Sequence, residues 1–154
     1  MKQVIKSAVI PANSTVANGF GIIHYQDIYT IQKKTNKNAE EVSKEIMVLP
    51  AWADVLFKLR NRIVGVFGLK TERNTSESDT YFTIIENRDE EIVMGEDDKH
   101  LNFRASILKD KSENSISLIT VVHYNSVWGK VYFFPVKPFH KIIMQTLLKQ
   151  YLKK

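Results

Sequence analysis

Apolar and polar positions divide the chain into an opening extended region, a helical region, a run of strands and a long C-terminal segment. Residues 2–10 suit a short strand or an extended leader, and residues 11–21, rich in Pro, Asn, Ser and Gly, read as a loop. From 22 to 34 the chain is rich in Ile, Tyr and Thr. Tyr25, Asp27, Tyr29 and Ile31 alternate there with Gln26, Ile28, Thr30 and Gln32, so a strand is expected although both of its faces are mixed. Asn38 is placed to cap a short helix over 39–48, with Glu40 and Glu41 in its first turn, where acidic groups suit the helix dipole. Pro50 suits the start of a second helix. Its stripe is Trp52, Val55, Leu56, Leu59, Ile63, Val66 and Phe67, and Gly68 ends it.

After a polar loop over 71–79, four strands are expected at 80–86, 91–96, 101–108 and 115–125. The turns between them are short, which predicts an antiparallel meander. From Ser126 onward Trp128, Val131, Tyr132, Pro135, Phe139, Ile142, Ile143, Leu147 and Tyr151 follow helical spacing. The favoured reading is one long helix, kinked at Pro135 and Pro138 and ending near Leu152. The alternative is a strand over 130–134 with a helix beginning at Pro138. The expected architecture is α+β, with one sheet curving around the final helix and burying its stripe.

Composition adds limits. A chain of 154 residues is enough for a single domain over 1–154 with a core of its own. There is no cysteine, which removes disulfides, thiolate metal sites and a Cys nucleophile, and fits a reducing, cytoplasmic setting. No apolar run approaches a membrane span, so no integral membrane association is expected, and no targeting segment is read at the start. The net charge of +5 is uneven: residues 72–98 hold ten acidic and two basic side chains. No Arg/Lys run is interleaved with aromatics, so a solvated basic surface is the simpler reading and no nucleic-acid partner is expected.

The candidate chemistry gathers around residues 95–104, Gly-Glu-Asp-Asp-Lys-His-Leu-Asn-Phe-Arg. As a strand this run sets His100, Asn102, Arg104 and Ser106 on one face and Leu101, Phe103, Ala105 and Ile107 on the other. Either the polar face meets water, or it lines a cavity mouth with His100 and Arg104 turned toward an anionic or carbonyl group. Asp97 or Asp98 is placed to pair with Arg104, Arg60 or Arg62. If the strands form a hairpin, His123 can approach His100 and Asp98 as an acid–base set. No third ligand at fixed spacing completes a metal site, so no metal and no cofactor is expected. His140, after Pro138-Phe139, is placed to donate to a carbonyl freed by Pro138. Trp128, Tyr132, Phe133, Phe134, Phe139 and Met144 suit either a core or an adaptable apolar pocket.

These motifs carry a family resemblance. Residues 95–104, together with Leu49-Pro50-Ala51-Trp52, Leu59-Arg60-Asn61-Arg62, Gly68-Leu69-Lys70, Thr120-Val121-Val122-His123, Gly129-Lys130-Val131-Tyr132 and Val136-Lys137-Pro138-Phe139-His140, resemble the DUF2867 family over about 22–148. Tyr25-Gln26-Asp27 resembles the family's first-strand motif, with His24 where an acidic residue is expected. The resemblance implies a helix-grip fold like that of the Bet v 1 and START-like (SRPBCC) superfamily, whose members commonly hold a hydrophobic ligand between sheet and long helix. It transfers no activity. The expectation is a domain that binds a small apolar or amphipathic molecule, with His100, Arg104, His123, Trp128, Tyr132, Phe139 and His140 lining the site. The alternatives are an enzyme using Asp98, His100 and His123 on a carbonyl substrate, and a ligand-free interaction protein.

Overall fold

The computed structural model describes residues 3–48 and 83–154. The strands are β1 (Ile5–Ser7), β2 (Tyr25–Gln32), β3 (Thr83–Asn87), β4 (Glu91–Asp97), β5 (Leu101–Asp110) and β6 (Ser115–Tyr124); the helices are α1 (Ala39–Ile46) and α2 (Val127–Leu152). The strands form one antiparallel sheet in the order β1-β2-β6-β5-β4-β3. The fold among these residues is therefore α+β, with the meander β3 to β6 as expected and the long C-terminal helix laid on the sheet. The expected helix after Pro50 lies outside the described residues.

Both faces of the sheet are covered, which explains the mixed faces of β2. On the helix side Tyr29, Ile31, Met94, Ile107 and Leu118 form a core with Val42 and Ile46 of α1 and Leu147, Leu148 and Tyr151 of α2. On the opposite side Ile28, Val93, Leu108, Ile119 and Val121 pack under Val16 and Phe20 of the irregular N-terminal segment. The segment read as a loop thus closes a second core. Gly19 and Gly21 both hold positive φ, which swings Phe20 between them onto the sheet.

A buried acid pins this segment. Glu91, 0% exposed, accepts from Ser14 Oγ (2.5 Å), the Thr15 amide (2.7 Å) and Thr15 Oγ1 (2.8 Å). Ser106 Oγ (2.6 Å) and Arg88 Nη2 (2.9 Å) also donate to it. Charge-assisted bonds of this length are the strong ones, and together they tie the N-terminal segment to β4 and β5.

α1 begins as the sequence predicts: Asn38 Oδ1 accepts from the Glu41 amide at 2.9 Å, and the helix buries Ala39, Val42, Ser43 and Ile46. α2 is one helix from Val127 to Leu152 and passes through both prolines, so the strand alternative for 130–134 is excluded. Pro135 and Pro138 lie on its exposed side. The Val131 and Phe134 carbonyls that they leave without a helical donor belong to exposed residues, where water can meet them.

The rotation of α2 differs from the expected stripe. Gly129, Tyr132, Phe133, Leu147, Leu148 and Tyr151 are its buried residues, whereas Trp128, Val131, Phe139 and Ile142 are exposed. The helix is apolar on both sides, so periodicity alone does not select the side that packs. A backbone contact does. A Cβ at residue 129 would overlap the His100 carbonyl oxygen, so only glycine lets the first turn of α2 sit there.

Two outcomes follow. Gly129→Ala raises helix propensity by about 1 kcal/mol, yet the overlap should leave a net loss of about 1–3 kcal/mol in chemical denaturation; a stabilised variant would contradict the contact. Burial alone would push the Glu91 carboxyl up, but the bonds from Ser106, Ser14 and Thr15 outweigh it and hold its pKa below the usual value. Its stabilisation is then complete above the unfolded value of about 4.3 and is lost as pH falls from there through the folded value. Glu91→Gln should cost about 2–3 kcal/mol at neutral pH, and the gap to wild type should close in acid denaturation below about pH 4. A gap that does not vary with pH would contradict this account.

Candidate functional site

The polar residues that meet beneath α2 come from β2, β6 and the middle of the helix. Strand parity turns Tyr25, Asp27, Tyr29 and Ile31 toward α2, because they pair with Val122, Thr120, Leu118 and Ile116 of the same face. Asp27 is 1% exposed in this position. Its Oδ2 accepts from the Tyr25 hydroxyl at 2.8 Å and lies 3.2 Å from His140 Nε2, which is also 3.2 Å from Thr120 Oγ1. Asp27 Oδ1 is buried and has no hydrogen-bond partner among the described residues. The Tyr29 hydroxyl two residues on is also buried, with the Gln145 side chain beside it.

Aromatic rings wall one side of this cluster. Tyr25 meets Phe133 edge-on with centroids 5.0 Å apart, and Tyr124 lies 6.2 Å from Phe133. The Lys137 ammonium sits 5.0 Å from the centre of the Tyr25 ring. Burial, reinforced by the hydrogen bond to Asp27 and its charge, pushes the Tyr25 phenol well above the ordinary tyrosine range. Tyr25 therefore stays protonated and donates to Asp27 at any physiological pH. Burial and then Asp27 raise Tyr29 in the same direction, and burial raises Tyr124. The arrangement can accept a hydrogen bond at Asp27 Oδ1, and its imidazole–carboxyl pair can move a proton.

The expected site residues divide. His140 is in this cluster, paired with Asp27 and Thr120. Tyr132 is buried on the sheet side of α2, while Trp128 and Phe139 are exposed on the helix. His100, Asp98 and His123 are held on separate partners. His100 Nδ1 lies 2.7 Å from Ser126 Oγ, and the Asp98 carboxyl accepts from the Lys99 amide. His123 Nδ1 lies 2.7 Å from the Ile22 carbonyl, and its ring is tilted against that of His24 with centroids 4.8 Å apart. The hairpin does form, but its register sets Asn102, not His100, opposite His123.

Arg104 is on the sheet face away from α2. It donates to Asp97 Oδ1 at 2.7 Å and to the Phe103 carbonyl at 2.8 Å, with its guanidinium 5.3 Å from the centre of Phe20. The expected pairing of Asp97 with Arg104 is thus present; Arg60 and Arg62 lie outside the described residues. The run 95–104 works mainly as a cradle. Gly95 leaves room for Arg104 to cross it, since a Cβ there would strike the Phe103 carbonyl and Arg104 Cδ. The Asp98 carbonyl accepts from Asn125 Nδ2 and the His100 carbonyl from the Asn125 amide, which seats the start of α2.

Asp27, Tyr25 and Thr120 were not singled out from composition or motif chemistry. A signal existed: Asp27 shares parity with Tyr25, Tyr29 and Ile31, and an acid in such a row requires a partner. His140 stands seven residues from both Phe133 and Leu147, the spacing of one helix face, and both of these are buried. Among the described residues no group of three or more His, Cys, Asp or Glu is placed to hold a metal ion, and no helix is long and apolar enough to cross a membrane.

No curated protein and no solved structure matches the chain. A family model described as a protein of unknown function (DUF2867) matches residues 20–147, a span that takes in β2, the cradle at 95–104 and His140. The chain belongs to the DUF2867 family.

Proposed function

We propose that this chain is a cytoplasmic helix-grip domain of the Bet v 1/START-like kind that holds a small amphipathic molecule between the sheet and α2. The polar end of the site is Asp27, His140 and Tyr25, in place of His100, Arg104 and His123. The apolar body of the ligand runs along the Tyr25, Tyr124 and Phe133 rings. One observation carries the reading: Asp27 Oδ1 is buried without a hydrogen-bond partner among the described residues. Leaving a buried polar group unmet costs about 1–3 kcal/mol. A ligand hydroxyl that donates to Asp27 Oδ1 removes that penalty. The six-stranded sheet beneath one long C-terminal helix supports the helix-grip reading as an architecture.

A second reading keeps the same site and adds a reaction. The His140 Nε2 contact with Asp27 favours general acid–base action on a carbonyl substrate, with His140 as the proton carrier and Asp27 as the group that orients it.

Native mass spectrometry of the purified protein, followed by solvent extraction, tests the binding reading. The expected result is a small molecule retained by the wild type and lost or reduced in Asp27→Ala and in Phe133→Ala. A ligand-free wild type whose melting temperature does not respond to a panel of hydroxylated amphiphiles would contradict it. His140→Gln separates the two readings: retention with unchanged chemistry in the extracted compound supports binding alone, and accumulation of an unconverted compound supports the enzyme.

A further inference from the structure

We propose that the outward face of α2 docks on an anionic lipid surface. The helix buries one side on the sheet and presents a second apolar side to solvent. Phe134 is 77% exposed and Val127 75%, with Val131, Phe139 and Ile142 also exposed. At 100° per residue, Val127, Val131, Phe134 and Ile142 fall on one stripe, opposite the side that carries Gly129, Phe133 and Leu147. Lys130, Lys137 and Lys141 fall together along one flank of that stripe. From Ser126 to Lys154 the chain has six lysines and no acidic residue.

Charge selects the occupant. A second copy of the chain would bring one lysine row against another, and the whole chain carries +5. An anionic partner complements the face. A bilayer suits it better than an acidic protein, because the stripe is the convex side of a single helix with aromatic and aliphatic side chains standing out beside lysines. That is the form of a helix lying in the headgroup region. Lys130 and Lys141 supply attraction to anionic headgroups while Phe134 and its neighbours enter the acyl boundary. This is surface attachment, and it is compatible with the absence of a membrane-crossing helix among the described residues.

Co-sedimentation with phosphatidylcholine vesicles, with and without phosphatidylserine, tests the proposal on the full chain. Binding is expected to the phosphatidylserine vesicles only, falling as salt is raised. Lys130→Gln and Lys141→Gln should each weaken partitioning by about fivefold, and Phe134→Glu should abolish it while leaving the melting temperature unchanged. Two results would overturn the proposal: no binding to either vesicle, or equal binding to both. So would a concentration-dependent dimer, seen by analytical ultracentrifugation, that Phe134→Glu dissolves in a protein that does not bind vesicles. Should Phe134→Glu unfold the chain, the lysine variants and the salt dependence decide the matter alone.

Discussion

The first turn of α2 rests on the backbone at His100, and no side chain fits between them. That contact sets where the helix begins, how it is rotated and how far along the sheet each later residue falls. His140 lies eleven residues beyond Gly129, about 16 Å along the axis, and that distance brings it to Asp27 on the second strand. Leu147, Leu148 and Tyr151 then reach the core closed by α1. A helix so rich in apolar residues on both sides could pack in more than one rotation. Glycine at 129, seated by Asn125 and Ser126 on the turn at 98–100, removes that freedom.

The motif with the most conspicuous chemistry therefore serves the scaffold. Arg104 is satisfied by Asp97 and lies over Phe20 on the far face of the sheet, and His100 meets the residue before α2. Among the described residues a buried oxygen left without a partner is in β2, on Asp27, beside two tyrosines and a histidine from the helix. A buried carboxyl needs partners, and here one oxygen has two while the other has none among the described residues. That asymmetry distinguishes the cluster from Glu91, whose two oxygens are both satisfied and whose role is to hold the N-terminal segment.

Much of this fold was legible in the sequence. Asn38 announces α1, the turns between 87 and 114 announce the meander, and helical spacing from Ser126 outweighs two prolines because both face solvent. The second core was not legible as such, since Val16 and Phe20 are isolated apolar residues in a stretch dominated by turn formers, and their packing depends on strands far away in sequence. The site was half legible. His140 was among the expected residues, but Asp27 is separated from it by more than a hundred positions, and only β2 parity together with the seven-residue spacing of Phe133, His140 and Leu147 points to their meeting. The expected grouping of His100 with His123 failed on register: a two-residue offset places Asn102 opposite His123 instead.

The central claim is that Asp27 Oδ1 accepts a hydrogen bond from the polar group of a ligand. A crystal structure of the purified protein at a resolution that separates waters from larger groups tests it most directly. Continuous non-protein density is predicted, beginning within hydrogen-bond distance of Asp27 Oδ1 and extending along Tyr25 and Phe133. A lone water on that oxygen, or protein side chains packed against it, would contradict the claim.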